Sequence, residues 1–552
     1  MDATCCIFLC LKAKIKQVIC VTKRVVIAYF LYAVLTVAVV FQTLQTGKTE
    51  VGKADFHNNT RYINVGQTRG MIYDRNMKPL VNREFHTMLV VNPTEEAMSV
   101  LKEELTAGDY EKIRLKAEYG NPFMFVCDYY GGWCDDIITT IVYERYSASD
   151  VATHLIGYLD SEGNGVCGAE KSYESLLDEY SGSFGIRYVA DANGKMLGGT
   201  EIETVSSGYA SEGGIVQTID YEIQRVCENV MKNNNMQTGA VVVLDAESSE
   251  ILALASAPAF DRNNLSESLI NENKPFINRA LSAYPVGSVF KPIVAATALE
   301  NGMHTDFLCE CGGNLNVSGV VFNCHKRTGH GVLDMTDAMA VSCNMYYIEL
   351  GLDLGAEKIV STAESLGFGR GIDLCDGISS SAGNLPSADD IDSSASLANL
   401  SFGQGELLAT PLQIAAAYGA FLNDGYYTQP YLFRGTVNAD GVFMLSEKTS
   451  QPEKVLTDSV CERIRKMLLY TVECGSGALA SAMVGEVSGK TATAETGKTE
   501  NGEKTVHTWF AGNFSYKENN YIIVVFRENG NSSSTDCAPV FRDIADGLSG
   551  EK

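Results

Sequence analysis

The sequence predicts an α+β fold, with an antiparallel sheet that is flanked by helices and completed by distant parts of the chain. Near Gly239 the segment "AVVVLDAESSEILALASAP" contains two apolar or β-branched runs around a polar turn, which indicates an antiparallel hairpin. The segment "HTWFAGNFSYKENNYIIVVFRE" repeats this pattern near the C-terminus, with residues 517–520 as the turn. Long helix-like stretches lie between the two hairpins, and a last helix is predicted after Pro539. Strands, helices and strands in this order indicate an α+β domain.

A domain boundary is predicted between residues 215 and 216. In the segment "IVQTIDYEIQRVCENVMKNN", Asp220 precedes apolar residues at helical spacing, which predicts a capped amphipathic helix at the start of the second domain. Residues 46–215 mix short strand-like and helix-like segments and contain no cluster of catalytic residue types. We therefore expect a mixed α/β domain at 46–215 and a larger α+β domain at 216–552.

The composition is that of a globular protein with an acidic surface. Of the 552 residues, 45% are hydrophobic and 20% are charged, so the chain can bury sizeable cores in two or three domains. The formal net charge of -25 argues against general nucleic-acid binding, which needs a basic surface to displace counterions from phosphates. No nucleic-acid partner is expected.

The N-terminal region combines a basic segment, residues 1–24, with an apolar stretch, residues 25–45. The stretch "VVIAYFLYAVLTVAVVFQTLQ" would span roughly 30 Å as a helix, which is enough to cross a bilayer core. No Ala-x-Ala-like site follows it, which favours a retained anchor over a cleaved signal peptide. The basic flank places residues 1–24 in the cytoplasm. We expect a single-pass protein of the cell membrane, with residues 46–552 outside the cytoplasm.

Twelve of the sixteen cysteines, from Cys127 onward, fall on the expected outer side, where thiols can be oxidised. Cys127 and Cys134 bracket "CDYYGGWC", whose Gly-Gly could turn the chain and bring them together. A second set, which could bind zinc, consists of Cys309, Cys311, Cys324 and His325. Its spacing is not that of a standard zinc finger, so a disulfide or buried thiols are favoured and no metal or cofactor is predicted.

The first candidate for catalysis is the Ser-x-x-Lys motif in "YPVGSVFKPIVAATALEN", which places Ser288 and Lys291 at the predicted start of a helix. Pro292 supports that start, because a helix tolerates proline only in its first turn. Residues i and i+3 share a face, so the Lys291 amine can reach the Ser288 hydroxyl and act as its base if burial or nearby cations keep the amine neutral. The motif alone is weak evidence, since Ser99 and Lys102 have the same spacing without a helix start.

The second candidate is "AVSCNMYYIELG", which gives Ser342 and Asn344. Two polar side chains at this spacing in a turn can project together, with the hydroxyl relaying a proton and the amide binding a substrate carbonyl or the lysine. Such triplets are also common helix caps, so this motif alone is equally weak.

The third candidate is "GKTATAETGKTE", residues 489–500. Lys490 would supply positive charge for a substrate carboxylate and help to keep Lys291 neutral, and Thr491 would hydrogen-bond that carboxylate. The backbone N–H of Thr493, with that of Ser288, could form an oxyanion hole.

The same stretch contains Gly-Lys-Thr twice, which raises nucleotide binding as an alternative. A phosphate-binding loop that ends at Gly497–Thr499 requires glycine at position 492, and Ala492 occupies it. This alternative is therefore weak, and the loop would also lie outside the cell.

With these three motifs in this order, the chain resembles the class B penicillin-binding proteins, which are monofunctional D,D-transpeptidases. The resemblance extends over nearly the whole chain after the anchor. Further blocks that look like those of the family, in its order, are "RGMIYDRNMKPLV", "ATHLIGYLD", "GAEKSYESLL", "QTIDYEIQ", "GAVVVLDAESSEILALASAPAFD", "GHGVLDM", "LSFGQGELLATPLQIAAAYGAFLNDG" and "TWFAGNF".

This resemblance implies a penicilloyl serine transferase (β-lactamase-like) fold for residues 216–552. It implies that Ser288 attacks the D-Ala-D-Ala bond of a peptidoglycan stem peptide with release of D-alanine, and that an amine from a neighbouring stem then forms a cross-link. β-Lactams would trap the same serine. Residues 46–215 would be a non-catalytic pedestal, similar to the dimerisation domain of these proteins, through which they pair with a membrane glycan polymerase.

Ala492 departs from the family pattern, which usually has glycine at this position. Its methyl group could crowd the substrate, narrow β-lactam access, or be accommodated by a slight strand shift, and the other motif residues favour accommodation. A D,D-carboxypeptidase or a β-lactamase of the same superfamily is one alternative, and a catalytically inactive scaffold or β-lactam sensor is another. Elongation, septation and spore-wall synthesis are all compatible with these motifs.

Overall fold

A computed structural model describes residues 28–42, 60–127, 134–147, 149–191, 195–197, 201–209, 211–446, 450–500 and 502–550. The helices are α1 (28–42), α2 (Glu95–Glu104), α3 (Ala107–Ala117), α4 (Thr153–Ile156), α5 (Gly168–Ser172), α6 (Glu174–Glu179), α7 (Tyr221–Asn233), α8 (Leu265–Ile270), α9 (Lys291–Glu300), α10 (Met335–Ala340), α11 (Asn344–Leu354), α12 (Ala356–Ser365), α13 (Ser394–Ser401), α14 (Pro411–Leu422), α15 (Asp458–Cys474), α16 (Ser533–Asp536) and α17 (Ala538–Ser549). Short 3₁₀ helices cover Gly287–Phe290, Ala388–Asp390 and Ala478–Ala480.

The strands are β1 (Thr60–Thr68), β2 (Met71–Tyr73), β3 (Glu84–Val91), β4 (Phe123–Val126), β5 (Ile137–Glu144), β6 (Gly182–Val189), β7 (Glu203–Ser207), β8 (Gly214–Gln217), β9 (Gly239–Asp245), β10 (Ile251–Ala257), β11 (Tyr284–Pro285), β12 (Cys309–Cys311), β13 (Asn314–Val317), β14 (Val320–Asn323), β15 (Gly331–Leu333), β16 (Asp373–Cys375), β17 (Ile378–Ser379), β18 (Leu408–Ala409), β19 (Tyr426–Tyr427), β20 (Phe433–Val437), β21 (Phe443–Leu445), β22 (Glu453–Lys454), β23 (Glu486–Glu500), β24 (Glu503–Tyr516) and β25 (Asn519–Gly530).

Two compact units alternate along the sequence. The first falls within Met1–Val65, Met88–Thr140 and Phe184–Val205, and the second within Gly66–Thr87, Ile141–Ser183 and Ser206–Lys552. Every residue of the three sequence motifs belongs to the second unit. The boundary predicted between residues 215 and 216 stays a prediction.

The first unit packs α2 and α3 around a small core with the sheet β4-β3-β5. Thr94 and Thr106 precede the two helices, and each threonine hydroxyl accepts a hydrogen bond from a backbone N–H in the first turn. Cys127 and Cys134 both contribute to this core, and residues 128–133 between them lie outside the described part of the chain. The sequence leaves their pairing open.

Residues 28–42 of the expected membrane span form α1, whose side chains are exposed. Residues 25–27 and 43–45, and the basic segment 1–24, lie outside the described residues. Among the helices of the described ranges, none is both long and apolar enough to cross a membrane.

The second unit is built on a five-stranded antiparallel sheet in the order β10-β9-β25-β24-β23. Both predicted hairpins are present, and β25 pairs with β9 so that Val524 lies opposite Val242. The C-terminal strands, which start at Glu486, Glu503 and Asn519, therefore complete a sheet that begins at Gly239, as the sequence predicts. The turn between β24 and β25 is shorter than expected, because pairing already resumes at Asn519.

Helices cover both faces of this sheet. Alternate residues of β9 enter two different cores: Val242 and Leu244 pack towards α9, α11 and α14, and Val241 and Val243 pack towards α7 and α17. A strand that is buried on both faces must be apolar throughout, which explains its continuous run of apolar residues. The predicted cap of α7 is also present, since the Asp220 carboxylate accepts hydrogen bonds from two N–H groups of the first turn.

Candidate active site

Ser288 lies in the 3₁₀ helix Gly287–Phe290, which leads directly into α9. Two hydrogen bonds hold this segment, as Gly403 accepts from the Gly287 N–H (2.7 Å) and Val289 accepts from the Tyr418 hydroxyl (2.9 Å). A third holds β11 just before it, where Pro285 accepts from the Trp509 indole (3.0 Å). Ser288 itself is half-buried. The predicted helix start at Ser288 is thus a 3₁₀ turn, with Pro292 in the first turn of the α-helix that follows.

The Lys291 side chain is fully buried and makes three polar contacts through Nζ. It donates to the Ser342 carbonyl (2.8 Å) and to the Asn344 Oδ1 (2.8 Å), and it lies 3.2 Å from the Ser342 Oγ. The structure therefore brings the first two sequence motifs together around one amine.

Burial lowers the pKa of Lys291 to about 8, because the charged ammonium loses its water. Cys343 and Cys324 act in the opposite direction. A lysine with this pKa is neutral for about a tenth of the time at pH 7, far more than an ordinary lysine, and the neutral amine is the form that can take a proton from a hydroxyl.

Ser342 and Asn344 belong to a tight turn between α10 and α11. Ser342 has a φ of 55°, a left-handed conformation that non-glycine residues adopt at a cost and that is concentrated at functional sites. The Cys343 N–H donates to the Ala338 carbonyl (2.9 Å), which ties the turn to α10. This backbone directs Ser342 and Asn344 to the same lysine.

The third motif lies on β23, where Lys490 is fully buried. Burial lowers the pKa of Lys490 well below its usual value, and the charge of Lys291 lowers it further. The Lys490 Nζ donates to the Thr491 carbonyl (3.0 Å), and the Thr491 hydroxyl lies 2.8 Å from the hydroxyl of Ser476. The two lysines are thus close enough to influence each other electrostatically, so charge on one disfavours charge on the other.

Ser476 is a candidate site residue outside the three sequence motifs, since its hydroxyl contacts that of Thr491. Its only sequence signal is the flanking glycine pair in "CGSGA", where a Cβ on Gly475 would lie 2.4 Å from the Ala340 carbonyl oxygen. Close backbone packing of this kind favours glycine and fixes the position of the serine between them.

Ala492 is buried opposite Trp509 of β24. A Cβ placed on Gly287 would lie 3.4 Å from the Ala492 Cβ and 3.1 Å from the Ala494 Cβ. The Ala492 methyl group therefore points towards the backbone of the segment that carries Ser288, where a glycine leaves room for it. Thr493, the next residue, donates its hydroxyl hydrogen bond to Ser533 (3.3 Å).

The second Gly-Lys-Thr copy, Gly497–Thr499, lies within β23 at an irregularity of its pairing with β24. The strand turns back into β24, whereas a phosphate-binding loop opens a helix whose N–H groups bind the phosphates. This topology argues against nucleotide binding at Gly497–Thr499.

The structure does not bring the possible zinc ligands Cys309, Cys311, Cys324 and His325 together as one group. Cys311 and Cys324 lie together with His330 and Cys343, and the four donor atoms are all within 4.8 Å of one another. Cys309 and His325 are outside this group. These four side chains could hold a metal ion, although the sequence predicts none.

The transpeptidase family model, described as the penicillin binding protein transpeptidase domain, matches residues 239–546. The peptidoglycan D,D-transpeptidase MrdA of Acinetobacter baumannii is 28% identical over 400 residues, which cover 68% of this chain and 56% of that protein. The stage V sporulation protein D of Bacillus subtilis is 28% identical over 397 residues, which cover 69% of this chain and 56% of that protein. The matched regions thus span little more than half the length of these two relatives.

A solved structure described as "structural coordination of polymerization and crosslinking by a peptidoglycan synthase complex" is similar in fold, with a TM-score of 0.68. It is 22% identical, and the match covers 95% of this chain and 98% of that chain. This likeness shows a shared fold, and the family model identifies residues 239–546 of the second unit as a transpeptidase domain, as the sequence predicts. Because the family model matches more than half of the chain, the protein belongs to the penicillin-binding protein transpeptidase domain family.

Proposed function

We propose that this protein is a peptidoglycan D,D-transpeptidase that acts through a serine acyl-enzyme at Ser288. The observation that carries the proposal is the buried Lys291 amine, which follows Ser288 at the helix start and contacts both Ser342 and Asn344. Membership of the family and the similarity to proteins named D,D-transpeptidase support it.

In the first step, the Ser288 Oγ attacks the carbonyl carbon between the two D-alanines, and neutral Lys291 takes the hydroxyl proton. The Ser288 and Thr493 backbone N–H groups stabilise the oxyanion that forms. When the C–N bond breaks, the amine of the departing D-alanine receives the proton from Lys291, with Ser342 as a relay 3.2 Å from the Lys291 Nζ. An acceptor amine then attacks the acyl-enzyme by the reverse sequence and restores the free serine.

Lys490 and Thr491 bind the terminal carboxylate of the donor peptide in this proposal. The contact between Thr491 and Ser476 supports this role, because it places two hydroxyl groups beside the buried Lys490 amine. A bound carboxylate favours the charged form of Lys490 and so opposes the effect of burial on its pKa, and a charge-assisted hydrogen bond to a carboxylate is stronger than a neutral one. β-Lactams carry a carboxylate at the corresponding position, so we propose that they acylate Ser288 as substrate analogues.

We further propose that residues 25–45 anchor the protein in the cell membrane and that residues 46–215 are a non-catalytic pedestal. The apolar stretch and the basic segment before it support the anchor. A membrane glycan polymerase is the proposed partner, because the similar structure is described as coordinating polymerization and crosslinking.

Labelling with a fluorescent penicillin tests the proposed nucleophile. The wild-type protein should be labelled and Ser288→Ala should not be. Ser99→Ala is the matched control, because Ser99 belongs to the other Ser-x-x-Lys sequence and is exposed on α2. Labelling that persists in Ser288→Ala would rule out Ser288 as the acylated residue.

A donor peptide that ends in D-Ala-D-Ala, mixed with an acceptor amine, distinguishes the enzymatic alternatives. Cross-linked product supports the transpeptidase. Free D-alanine without cross-linked product would instead indicate a D,D-carboxypeptidase, and rapid turnover of penicillin would indicate a β-lactamase. An inert wild type that gains acylation on Ala492→Gly would indicate a scaffold or a sensor.

A further inference from the structure

A cluster of four sulfur and nitrogen donors lies beside the proposed active site, and the acyl-transfer mechanism does not use it. Cys311 Sγ and Cys324 Sγ lie 3.5 and 3.6 Å from the His330 Nδ1, and Cys324 Sγ lies 4.0 Å from Cys343 Sγ. The three cysteines are buried. We propose that these four side chains bind a structural zinc ion, and that the ion holds the Ser-x-Asn turn in place through Cys343.

Three of the six donor–donor distances match those of a tetrahedral zinc site, and all six are within 4.8 Å. With zinc–sulfur bonds of about 2.3 Å and zinc–nitrogen bonds of about 2.0 Å, two sulfurs lie about 3.8 Å apart and a sulfur and a nitrogen about 3.5 Å apart. The observed separations of 4.0, 3.5 and 3.6 Å are close to these values. Three thiolates and one imidazole are also a donor set that selects zinc over magnesium or calcium.

The backbone around the cluster is shaped to bring these donors together. Cys311 of β12 lies opposite Gly331 of β15, so His330 is next to Cys311. Gly313 and Gly329 have φ values of 94° and 77°, and a Cβ on either would lie 2.1 Å from a backbone oxygen of the facing segment. Only glycine fits two chains that approach this closely. The Cys324 N–H donates to the Gly313 carbonyl (2.9 Å), which fixes the third donor.

Buried thiols also occur without a metal, as small apolar side chains. His330 distinguishes this cluster from a group of buried thiols that only pack together, because its Nδ1 is within 3.6 Å of two of the three sulfurs. Two histidines are available here, and only His330 is in the four-donor group, whereas the His325 Nδ1 lies 3.9 Å from a single sulfur. A disulfide between Cys324 and Cys343 is the competing use of the same atoms, and it would prevent zinc binding.

The position of Cys343 gives the ion a role in the active site. Cys343 separates Ser342 and Asn344, and both neighbours contact the Lys291 Nζ. Four protein donors fill a tetrahedral zinc ion, so no position remains for water or substrate and the ion is structural. Zinc would restrain the left-handed Ser342 conformation and keep the base in place. The cysteines and His330 are therefore positioning residues.

Metal analysis of the full chain, purified without chelators and under reducing conditions, is the direct test. We expect about one zinc ion per chain, and loss of most of it in Cys311→Ser and in His330→Ala. Cys309→Ser and His325→Ala are matched controls that should keep the metal, because they change a cysteine of the same strand and a histidine adjacent to Cys324. Cobalt that replaces zinc should give the visible absorption of a tetrahedral thiolate site.

Ligand variants can fail to fold, so chelation of the wild-type protein provides a second measurement. Removal of zinc should lower the thermal unfolding temperature and slow acylation by fluorescent penicillin at least tenfold, and added zinc but not magnesium should restore both. The acylation measurement rests on the proposed function, whereas the metal content and the unfolding temperature do not. A zinc-bound protein that is never acylated would thus contradict the proposed function alone.

The zinc proposal fails if the reduced protein contains no stoichiometric metal and gives no cobalt spectrum. It also fails if mass spectrometry finds a disulfide between Cys324 and Cys343 in protein that is fully labelled by penicillin. Chelation that removes zinc and leaves the acylation rate unchanged would overturn the positioning role.

Discussion

At the residue scale, the protonation state of Lys291 controls the proposed chemistry. Burial lowers the pKa of Lys291 from 10.5 to about 8, against the opposing effect of Cys343 and Cys324. Below this pKa most of the lysine is protonated and cannot accept the Ser288 proton. Above it the amine is neutral, so a rise in pH through about 8 increases the active fraction.

We therefore predict that the acylation rate increases with pH up to about 8 and then levels off. Well below the pKa, the rate should change about tenfold per pH unit, because the neutral fraction does. Rapid-mixing experiments with a fluorescent penicillin between about pH 6 and about pH 10 would measure this profile. Lys291→Arg cannot become neutral in this range and should be nearly inactive throughout. A pH-independent rate in the wild type would argue against Lys291 as the base.

A second prediction at this scale concerns the contact between Ala492 and Gly287. Gly287 has a φ of 65°, and a Cβ there would meet the methyl groups of Ala492 and Ala494. Gly287→Ala should therefore slow acylation strongly. It should also lower the free energy of unfolding by about 1–3 kcal/mol, because alanine is strained at this positive φ and its methyl group would crowd its neighbours. Acylation rates and denaturant unfolding would measure both effects.

Ala492→Gly serves as the control for this contact. It removes only one buried methyl group, so the free energy of unfolding should fall by about 1 kcal/mol. The acylation rate should stay within about threefold of that of the wild type. The double variant should recover part of the rate lost in Gly287→Ala, because crowding is relieved and the backbone strain remains. If the effects of the two substitutions on the acylation rate are simply additive, the methyl groups at the two positions do not contact each other.

At the element scale, α14 supports the segment that carries Ser288, and its N-terminus is closed by a buried capping box. The Thr410 hydroxyl accepts from the Gln413 N–H (3.0 Å), and the Gln413 side chain accepts from the Thr410 N–H (2.8 Å). The Gln413 amide also donates to the Arg370 and Ala382 carbonyls (2.7 and 2.9 Å). One glutamine thus satisfies buried groups from three segments.

We predict that Gln413→Leu destabilises the protein by about 2–4 kcal/mol, because it leaves several buried polar groups without a partner. Ser387→Ala is the control, since Ser387 forms a capping box with Asp390 at the exposed 3₁₀ helix Ala388–Asp390. Ser387→Ala should lower the free energy of unfolding by about 1 kcal/mol or less. Denaturant unfolding would compare the two variants, and equal losses would contradict the importance of burial.

The elements that the sequence predicts are those with local signals. The two hairpins have strong apolar runs and polar turns, and α7 has Asp220 as its cap, so each could be identified from adjacent residues. His330 and Ser476 were missed because their roles arise from contacts between different elements: His330 lies beside Cys311 and Cys324, and Ser476 contacts Thr491 on β23. Periodicity contains no information about such contacts.

At the scale of the whole molecule, the five-stranded sheet and the proposed site are assembled from residues between Gly239 and Gly530, while the second unit also includes the earlier segments Gly66–Thr87 and Ile141–Ser183. Because β25 is the central strand, between β9 and β24, the C-terminal hairpin is essential to the fold. None of the hydrogen bonds described around Ser288, Lys291 and Lys490 involves residues 28–42.

We predict that a chain that begins at residue 46 is soluble without detergent and is labelled by fluorescent penicillin at the wild-type rate. The full chain should instead enter the detergent phase on phase separation, because the side chains exposed on α1 are mostly apolar, among them Tyr29, Leu35 and Phe41. Leu35→Arg in the full chain is a further control. A charge in the centre of a membrane span costs about 3 kcal/mol, so this variant should enter the detergent phase less than the wild type. Its labelling rate should not change. A full chain that stays in the aqueous phase would contradict the anchor, while labelling of the shortened chain tests the catalytic proposal independently.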